Sequence, residues 1–293
     1  MYPEGYRGFE SLSLRHPPSL ARVSGELRRD GSDAGCHPPS TVVTFERWVD
    51  ALEARHLADL TQSEVTRALR ALSSCYVERR AGLARSAALD GAGKRAAFAL
   101  FYAPVHFLVT REIVRALSAG DASLTRIMDL GCGTGAAGVA WALECGRDGD
   151  RPSIAGVDRN PWAVAEANWM YAQFRLRGRA RIGDIARVHV HASERDGVLL
   201  AYAVNELASA RRAALLPRVR TVAQRGARVL IVEPIARRMN DWWGEWRAAL
   251  NAREDEWRFA VTLPPLAREL ARGAGLDPQE LTARSLVVAT DSR

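Results

Sequence analysis

A chain of 293 residues with 47% hydrophobic and 26% charged residues has the make-up of a folded globular protein, not of a disordered or fibrous one. It is long enough for one large domain with an added lobe. The formal charge of +7 is carried almost wholly by arginine, since Lys94 is the single lysine. Arginine suits phosphate recognition, but the excess is diffuse, without a run of five basic residues, and biased genome composition gives the same pattern. Cys36, Cys75, Cys132 and Cys145 are scattered and form no C-x-x-C pair, so no metal or iron–sulfur site is expected. The longest apolar stretch, Ala96 to Val109, is interrupted by Pro104 and His106 and falls short of a membrane span. No apolar signal core opens the chain, and a cytoplasmic location is expected.

Residues 1–40 are rich in Pro, Gly, Ser and Arg, close on His37-Pro38-Pro39-Ser40, and read as a flexible arm. Residues 41–120 read as a helical lobe. Phe45, Trp48, Val49, Leu52, His56 and Leu60 recur at spacings of three and four and give one apolar face. Thr61-x-x-Glu64 is a capping box for the next helix, with Val65, Leu69 and Leu72 on its core side. A third helix is expected from about Lys94 to Leu117, kinked or split at Pro104.

Residues 121–293 alternate strand and helix. Strands are expected near 125–130, 153–158, 179–183, 198–204 and 227–233, and helices near 135–146, 161–176, 207–224 and 238–251. Pro161 after Asn160 is a good helix start. Such alternation gives a parallel sheet with right-handed crossovers. A further helix is expected over Pro265 to Gly273, and a last strand or hairpin over Leu281 to Thr290.

The chemistry concentrates in Asp129-Leu130-Gly131-Cys132-Gly133-Thr134-Gly135, where an apolar strand runs into a carboxylate, a glycine-rich turn and a helix. Ligands of open α/β sheets bind beyond the carboxyl ends of the strands. Gly133-x-Gly135-x-x-Gly138 formally matches the dinucleotide fingerprint, with Asp158 twenty residues beyond Gly138. The rival is S-adenosylmethionine (SAM), and three features favour it. Asp129 would repel a pyrophosphate but suits a sulfonium and an ammonium group. Asp158, at the end of the second strand, can accept both ribose hydroxyls. Asp184, after the third strand, can accept from an adenine amine while Ile185 packs on the ring. Cys132 reads as a small residue filling a tight turn.

Residues 125–235 resemble the class I SAM-dependent methyltransferases. Asp129 to Gly135 resemble the first motif, Val157-Asp158 the second-strand acid, and Gly183-Asp184-Ile185 the adenine-contacting turn. Leu199 to Leu207 resemble the fourth strand and Val229 to Pro234 the fifth. The Tyr-Ala-Val-Asn-Glu-Leu and Ile-Val-Glu-Pro stretches, with the preceding helical segment, also resemble the small-subunit ribosomal methyltransferase-like family. The clustered cysteines associated with its mitochondrial members are absent. The resemblance implies an α/β fold, a Rossmann-like, mostly parallel sheet of seven strands with one antiparallel, preceded by the α-helical lobe. It implies SAM as cofactor, held by Asp129, Gly131, Cys132, Gly133, Gly135, Asp158, Arg159, Asp184, Ile185 and Asn205.

Methyl transfer is driven by the cofactor, so the protein supplies alignment and a dry site. Asn205 and Glu206, at the end of the fourth strand, are the catalytic candidates, for substrate orientation or proton acceptance. Glu206 can instead be an acid favoured by the dipole of the helix that follows. The Asp/Asn-Pro-Pro-aromatic motif of base amino-group methyltransferases is absent. His189-x-His191 lacks a third ligand for a metal. Trp242, Trp243 and Trp246 read as packing a helix onto the sheet, and Tyr102 and His106 as core residues that could line a substrate mouth. Three functions stay open: a methyltransferase of small-subunit ribosomal RNA, a small-molecule methyltransferase with the lobe as lid, and a SAM-binding ribosome assembly factor without turnover.

Overall fold

Seven strands lie in the order β3-β2-β1-β4-β5-β7-β6. The computed structural model describes residues 44–78, 89–146, 150–235, 241–276 and 280–288; the expected arm over 1–40 lies outside them. The strands are β1 (Arg126–Leu130), β2 (Ser153–Asp158), β3 (Gly178–Ile182), β4 (Asp196–Ala201), β5 (Arg228–Glu233), β6 (Arg253–Phe259) and β7 (Leu281–Val288). β1 pairs in parallel with β2 and β4, β2 with β3, and β4 with β5, while β7 runs antiparallel between β5 and β6. This is the expected sheet of seven strands with one antiparallel.

The strands read as apolar runs because both faces are covered. Ile127, Leu199, Leu230 and Val232 point into one core, and Met128, Leu130, Val198, Leu200, Val229 and Ile231 into the other. That alternation is the period of two of a strand. The first core takes α5 (Ala136–Glu144), α6 (Pro161–Gln173) and α9 (Pro265–Ala274); the second takes α7 (Ser209–Gln224) and α8 (Trp243–Leu250). Trp242, Trp243 and Trp246 are buried in the second core, which agrees with their reading as packing residues.

The lobe holds α1 (Phe45–His56), α2 (Gln62–Glu78), α3 (Ala92–Ala97), a π-helical turn at Phe98–Tyr102 and α4 (Ala103–Ala116). The capping box forms: Glu64 Oε2 accepts the Thr61 N–H at 2.8 Å, and Thr61 Oγ1 accepts the Glu64 N–H at 3.4 Å. Trp48, Leu52, Val65, Leu69 and Leu72 are buried in the first core together with side chains of α5 and α6. A second link is ionic. Glu166 of α6, 3% exposed, accepts from Arg55 Nη2 at 2.9 Å and stands 3.1 Å from His56 Nε2. Pro104 does not split the expected helix. Its missing N–H and its ring conflict with the carbonyl four residues back, and the widened turn at Phe98–Tyr102 accommodates it. The continuous helix Ala92–Ala116 is long and apolar enough to cross a membrane by composition, but 72% of its most apolar window is buried within the fold.

Three expectations change. β4 ends at Ala201, not 204, because Tyr202 turns the chain with φ +55°. α7 begins at Ser209 with Ala208 at the N-cap, so Glu206 does not cap it. β6 falls between the expected helices, over residues for which no element was expected. Between β3 and β4, residues 183–195 carry no helix, although parallel crossovers usually contain one.

Candidate functional site

The glycine turn is built by backbone need. Gly131, Gly133 and Gly135 have φ of +82°, +53° and +84°, where a side chain is strained. A Cβ on Gly131 would stand 2.5 Å from Ala203, and one on Gly135 2.8 Å from the Tyr171 ring. The turn is tied to β2 by the Gly131 and Cys132 N–H groups, which donate to the Val157 carbonyl at 2.8 and 3.1 Å. Gly135 then serves as N-cap of α5.

Two buried carboxylates flank this turn. Asp129, 1% exposed, is the penultimate residue of β1 and lies so close to α5 that a Cβ on Gly138 would be 2.6 Å from its Oδ2. Asp158, 4% exposed, ends β2. Its Oδ2 accepts the Gly133 N–H and its Oδ1 the Asn160 N–H, both at 2.9 Å. Asn160 in turn caps α6, accepting from the Trp162 and Ala163 N–H groups. These two bonds hold the Asp158 carboxylate beside the turn, where the sequence reading places the ribose hydroxyls.

A small pocket opens over the turn, lined by Asp129, Gly131, Cys132, Gly133, Thr134, Ala136, Ala137 and Ala201, and by Phe98 and His106 of the lobe. Phe98 lies in the π-helical turn, a feature common at functional sites. His106 stacks on Tyr202 with ring centres 3.9 Å apart. Tyr202 is a non-glycine residue at positive φ, the strain that clusters at active sites. Burial pushes its phenol pKa up, and the nearby Glu233 carboxylate adds to this. Burial likewise pushes Tyr102 up to about 12, partly offset by a hydrogen bond with Ser73. The sequence pointed to His106 as a polar break in a greasy run; Phe98 carried no signal of its own.

The end of β4 is held from below. Glu233, 1% exposed, accepts the N–H groups of Val204 at 2.8 Å and Asn205 at 3.2 Å. Asn205 Oδ1 accepts from Trp242 Nε1 at 2.8 Å. Its Nδ2 is buried and has no hydrogen-bond partner among the described residues. Glu206 follows, half-buried.

The remaining predicted residues lie in and around the turn and after β3. Ile185 is buried, its Cδ1 3.8 Å from where a Gly131 Cβ would be. Asp184 is engaged: Oδ1 accepts the Ala186 N–H at 3.1 Å, and Oδ2 pairs with Arg211 at 3.2 Å and Arg187 at 4.0 Å. Arg159 is exposed just past β2. Cys132 is buried, its Sγ 3.7 Å from the Gly133 carbonyl, which fits a turn-filling residue. Among the described residues no group of three or more His, Cys, Asp or Glu could hold a metal ion.

SAM fits this site. The positive-φ glycines leave open backbone, Asp129 supplies a carboxylate at the turn, and Asp158 stands beside the turn at the end of the adjacent strand. A pyrophosphate would meet the same two buried carboxylates.

The methyltransferase-domain family matches residues 127–226. No curated protein is significantly similar to the chain. Similar solved structures include magnesium protoporphyrin IX methyltransferase of Synechocystis PCC 6803 with bound SAM, at 15% identity over 64% of this chain and 80% of that one, TM-score 0.44. Another is a TehB-like SAM-dependent methyltransferase of Corynebacterium glutamicum, at 16% identity over 64% of this chain and 100% of that one, TM-score 0.38. A third is the tRNA (uracil-54, C5)-methyltransferase of Pyrococcus abyssi with S-adenosyl-L-homocysteine, at 14% identity over 61% of this chain and 37% of that one, TM-score 0.40. With the glycine turn, its two strand-terminal acids and the sheet order, the family match makes this chain the carrier of a class I SAM-dependent methyltransferase domain.

Proposed function

We propose that the chain methylates RNA, with the small-subunit ribosomal RNA as its target. The observation that carries the reading is the bond from Glu233 to the Val204 and Asn205 N–H groups. It joins the two stretches that resemble the ribosomal methyltransferase-like family, Tyr202 to Leu207 and Ile231 to Pro234, into one unit at the carboxyl ends of β4 and β5. The net charge of +7, nearly all from arginine, supports a polyanionic substrate.

When bound, SAM supplies an electrophilic methyl group and a neutral thioether leaving group. Asp129 would hold the cationic end of the cofactor, and Asp158 the ribose. Phe98 and His106 close the pocket from the lobe side and exclude water. Asn205 orients the acceptor through Nδ2, its rotamer fixed by the Trp242 bond to Oδ1.

The enclosure by Phe98 and His106 also favours a second reading, a small-molecule methyltransferase with the lobe as lid. Tritiated SAM, given with the protein to an extract of cells lacking the gene, separates the two. Label concentrated in RNA of small ribosomal subunits supports the proposal. Label in the small-molecule fraction establishes the second reading. SAM binding with no label in any fraction contradicts both and leaves an assembly factor without turnover.

A further inference from the structure

We propose that the edge strand β3 docks the phosphate backbone of the RNA, through Arg179 and Arg181 and their neighbours Arg177 and Arg187. This rests on the reading of the chain as an RNA methyltransferase and adds the surface by which the RNA is held.

Arginine occupies every second position over Arg175, Arg177, Arg179 and Arg181, and all four are exposed. Arg179 and Arg181 lie within β3, where alternate residues share a face, and Arg175 and Arg177 precede it. The facing is fixed by the other positions. A Cβ on Gly178 would stand 2.6 Å from the Tyr171 ring of α6, and Ala180 is buried in the core that α6 covers. Arg179 and Arg181 therefore point to the opposite face, beside their register partners Ala155 and Val157. That face is bare of helix at this edge because residues 183–195 form a helix-free crossover.

Arg177, Arg179 and Arg181 have no carboxylate within salt-bridge distance among the described residues; Arg177 donates only to the Arg151 carbonyl. Asp184, the acid at the end of the row, is already paired with Arg211, and Arg187 beside it is 85% exposed. Ile182, 62% exposed, is the one large hydrophobic side chain so exposed among the described residues, and by the alternation of the strand it shares the face of Gly178 and Ala180, opposite the two arginines.

These features select RNA. Side chains two apart on a strand repeat every ~6.7 Å, a regular row suited to a repeating polyanion. Guanidinium forks match phosphate oxygens bidentately and stack on bases, where lysine offers a point charge. β3 pairs with β2, whose Asp158 borders the cofactor turn, so bound RNA runs alongside the methyl donor's site. The simpler alternative is that edge-strand charges only prevent strand-to-strand association.

The test is binding of a fluorescein-labelled oligouridine to the full chain across a salt series. The variants are Arg179→Gln/Arg181→Gln and, as a control of equal charge, Arg268→Gln/Arg272→Gln on exposed positions of α9. The row variant is expected to bind RNA more weakly, with a salt slope shallower by about 1.4, at about 0.7 for each phosphate contact to a single strand. The control should keep the slope, and both variants should keep SAM affinity. Equal slopes for the two variants overturn this docking surface and leave the RNA reading intact. RNA binding unchanged in a row variant that self-associates assigns the arginines to edge protection and also overturns it. No RNA binding by the unmodified chain, with label in the small-molecule fraction, removes the RNA reading and this surface together.

Discussion

Gly138 leaves room for Asp129: a Cβ at 138 would stand 2.6 Å from the Asp129 Oδ2. The glycine of the would-be dinucleotide fingerprint thus serves the carboxylate at the end of β1. In an ordinary helix interior Gly→Ala stabilises by about 0.5–1 kcal/mol. Here overpacking opposes that gain by about 1–3 kcal/mol. Gly138→Ala is expected to change thermal stability little while displacing Asp129, with SAM affinity falling tenfold or more by calorimetric titration. Unchanged affinity would separate Asp129 from the cofactor.

The Glu233 carboxylate is the second support of the site. Its removal leaves the buried N–H groups of Val204 and Asn205 without their acceptor. Glu233→Ala is expected to cost about 1–3 kcal/mol in denaturant unfolding and to lower methyl transfer more than SAM affinity, since the displaced segment carries Asn205. Loss of SAM binding with an unchanged transfer rate would contradict that division.

Trp242→Phe removes the donor to Asn205 Oδ1 and keeps most of the buried ring. The net loss of one such bond is about 0.5–1.5 kcal/mol. The expected outcome is a lower kcat with SAM affinity retained, because the carboxamide loses its fixed rotamer. A full kcat would show that Asn205 does not orient the acceptor.

Acid should loosen the link between lobe and sheet. Burial alone raises the Glu166 pKa, but hydrogen bonds and charges from His56 and Arg55 outweigh it and hold the carboxyl below its usual 4.5. A carboxyl with a depressed folded pKa contributes stability above its unfolded value and loses it as pH falls through the folded one. Arg55 is 43% exposed at its side chain, so solvent screens that pair. Glu166→Gln is expected to lower Tm by about 2–6 °C at neutral pH, the gap to the unmodified chain closing as pH drops below 4.5. A gap independent of pH would assign the effect to packing.

Much of this was legible in sequence where a local signal and the fold agree. Thr61 and Glu64 form the capping box they spell, Asn160-Pro161 opens α6, and Asp129 and Asp158 lie at the carboxyl ends of adjacent strands as their apolar runs predict. The site's lobe side was not legible, because Phe98 reaches the pocket only through tertiary packing, and Pro104 marks a disturbance of the helix without showing that it becomes a π-helical turn upstream. β6 escaped because Arg253–Phe259 is an edge strand with mostly charged side chains, alternating only between exposed and half-buried. The alternating arginines of β3 looked diffuse in sequence; an edge strand with one bare face aligns them.

The most direct test of the cofactor site is titration of the full chain with SAM, beside Asp158→Ala. The account predicts binding of SAM at one site, no competition by NAD, and a loss of about 1–3 kcal/mol in the variant as ribose hydroxyls lose their acceptor. Equal SAM affinity in the variant, or displacement of SAM by NAD, would contradict it.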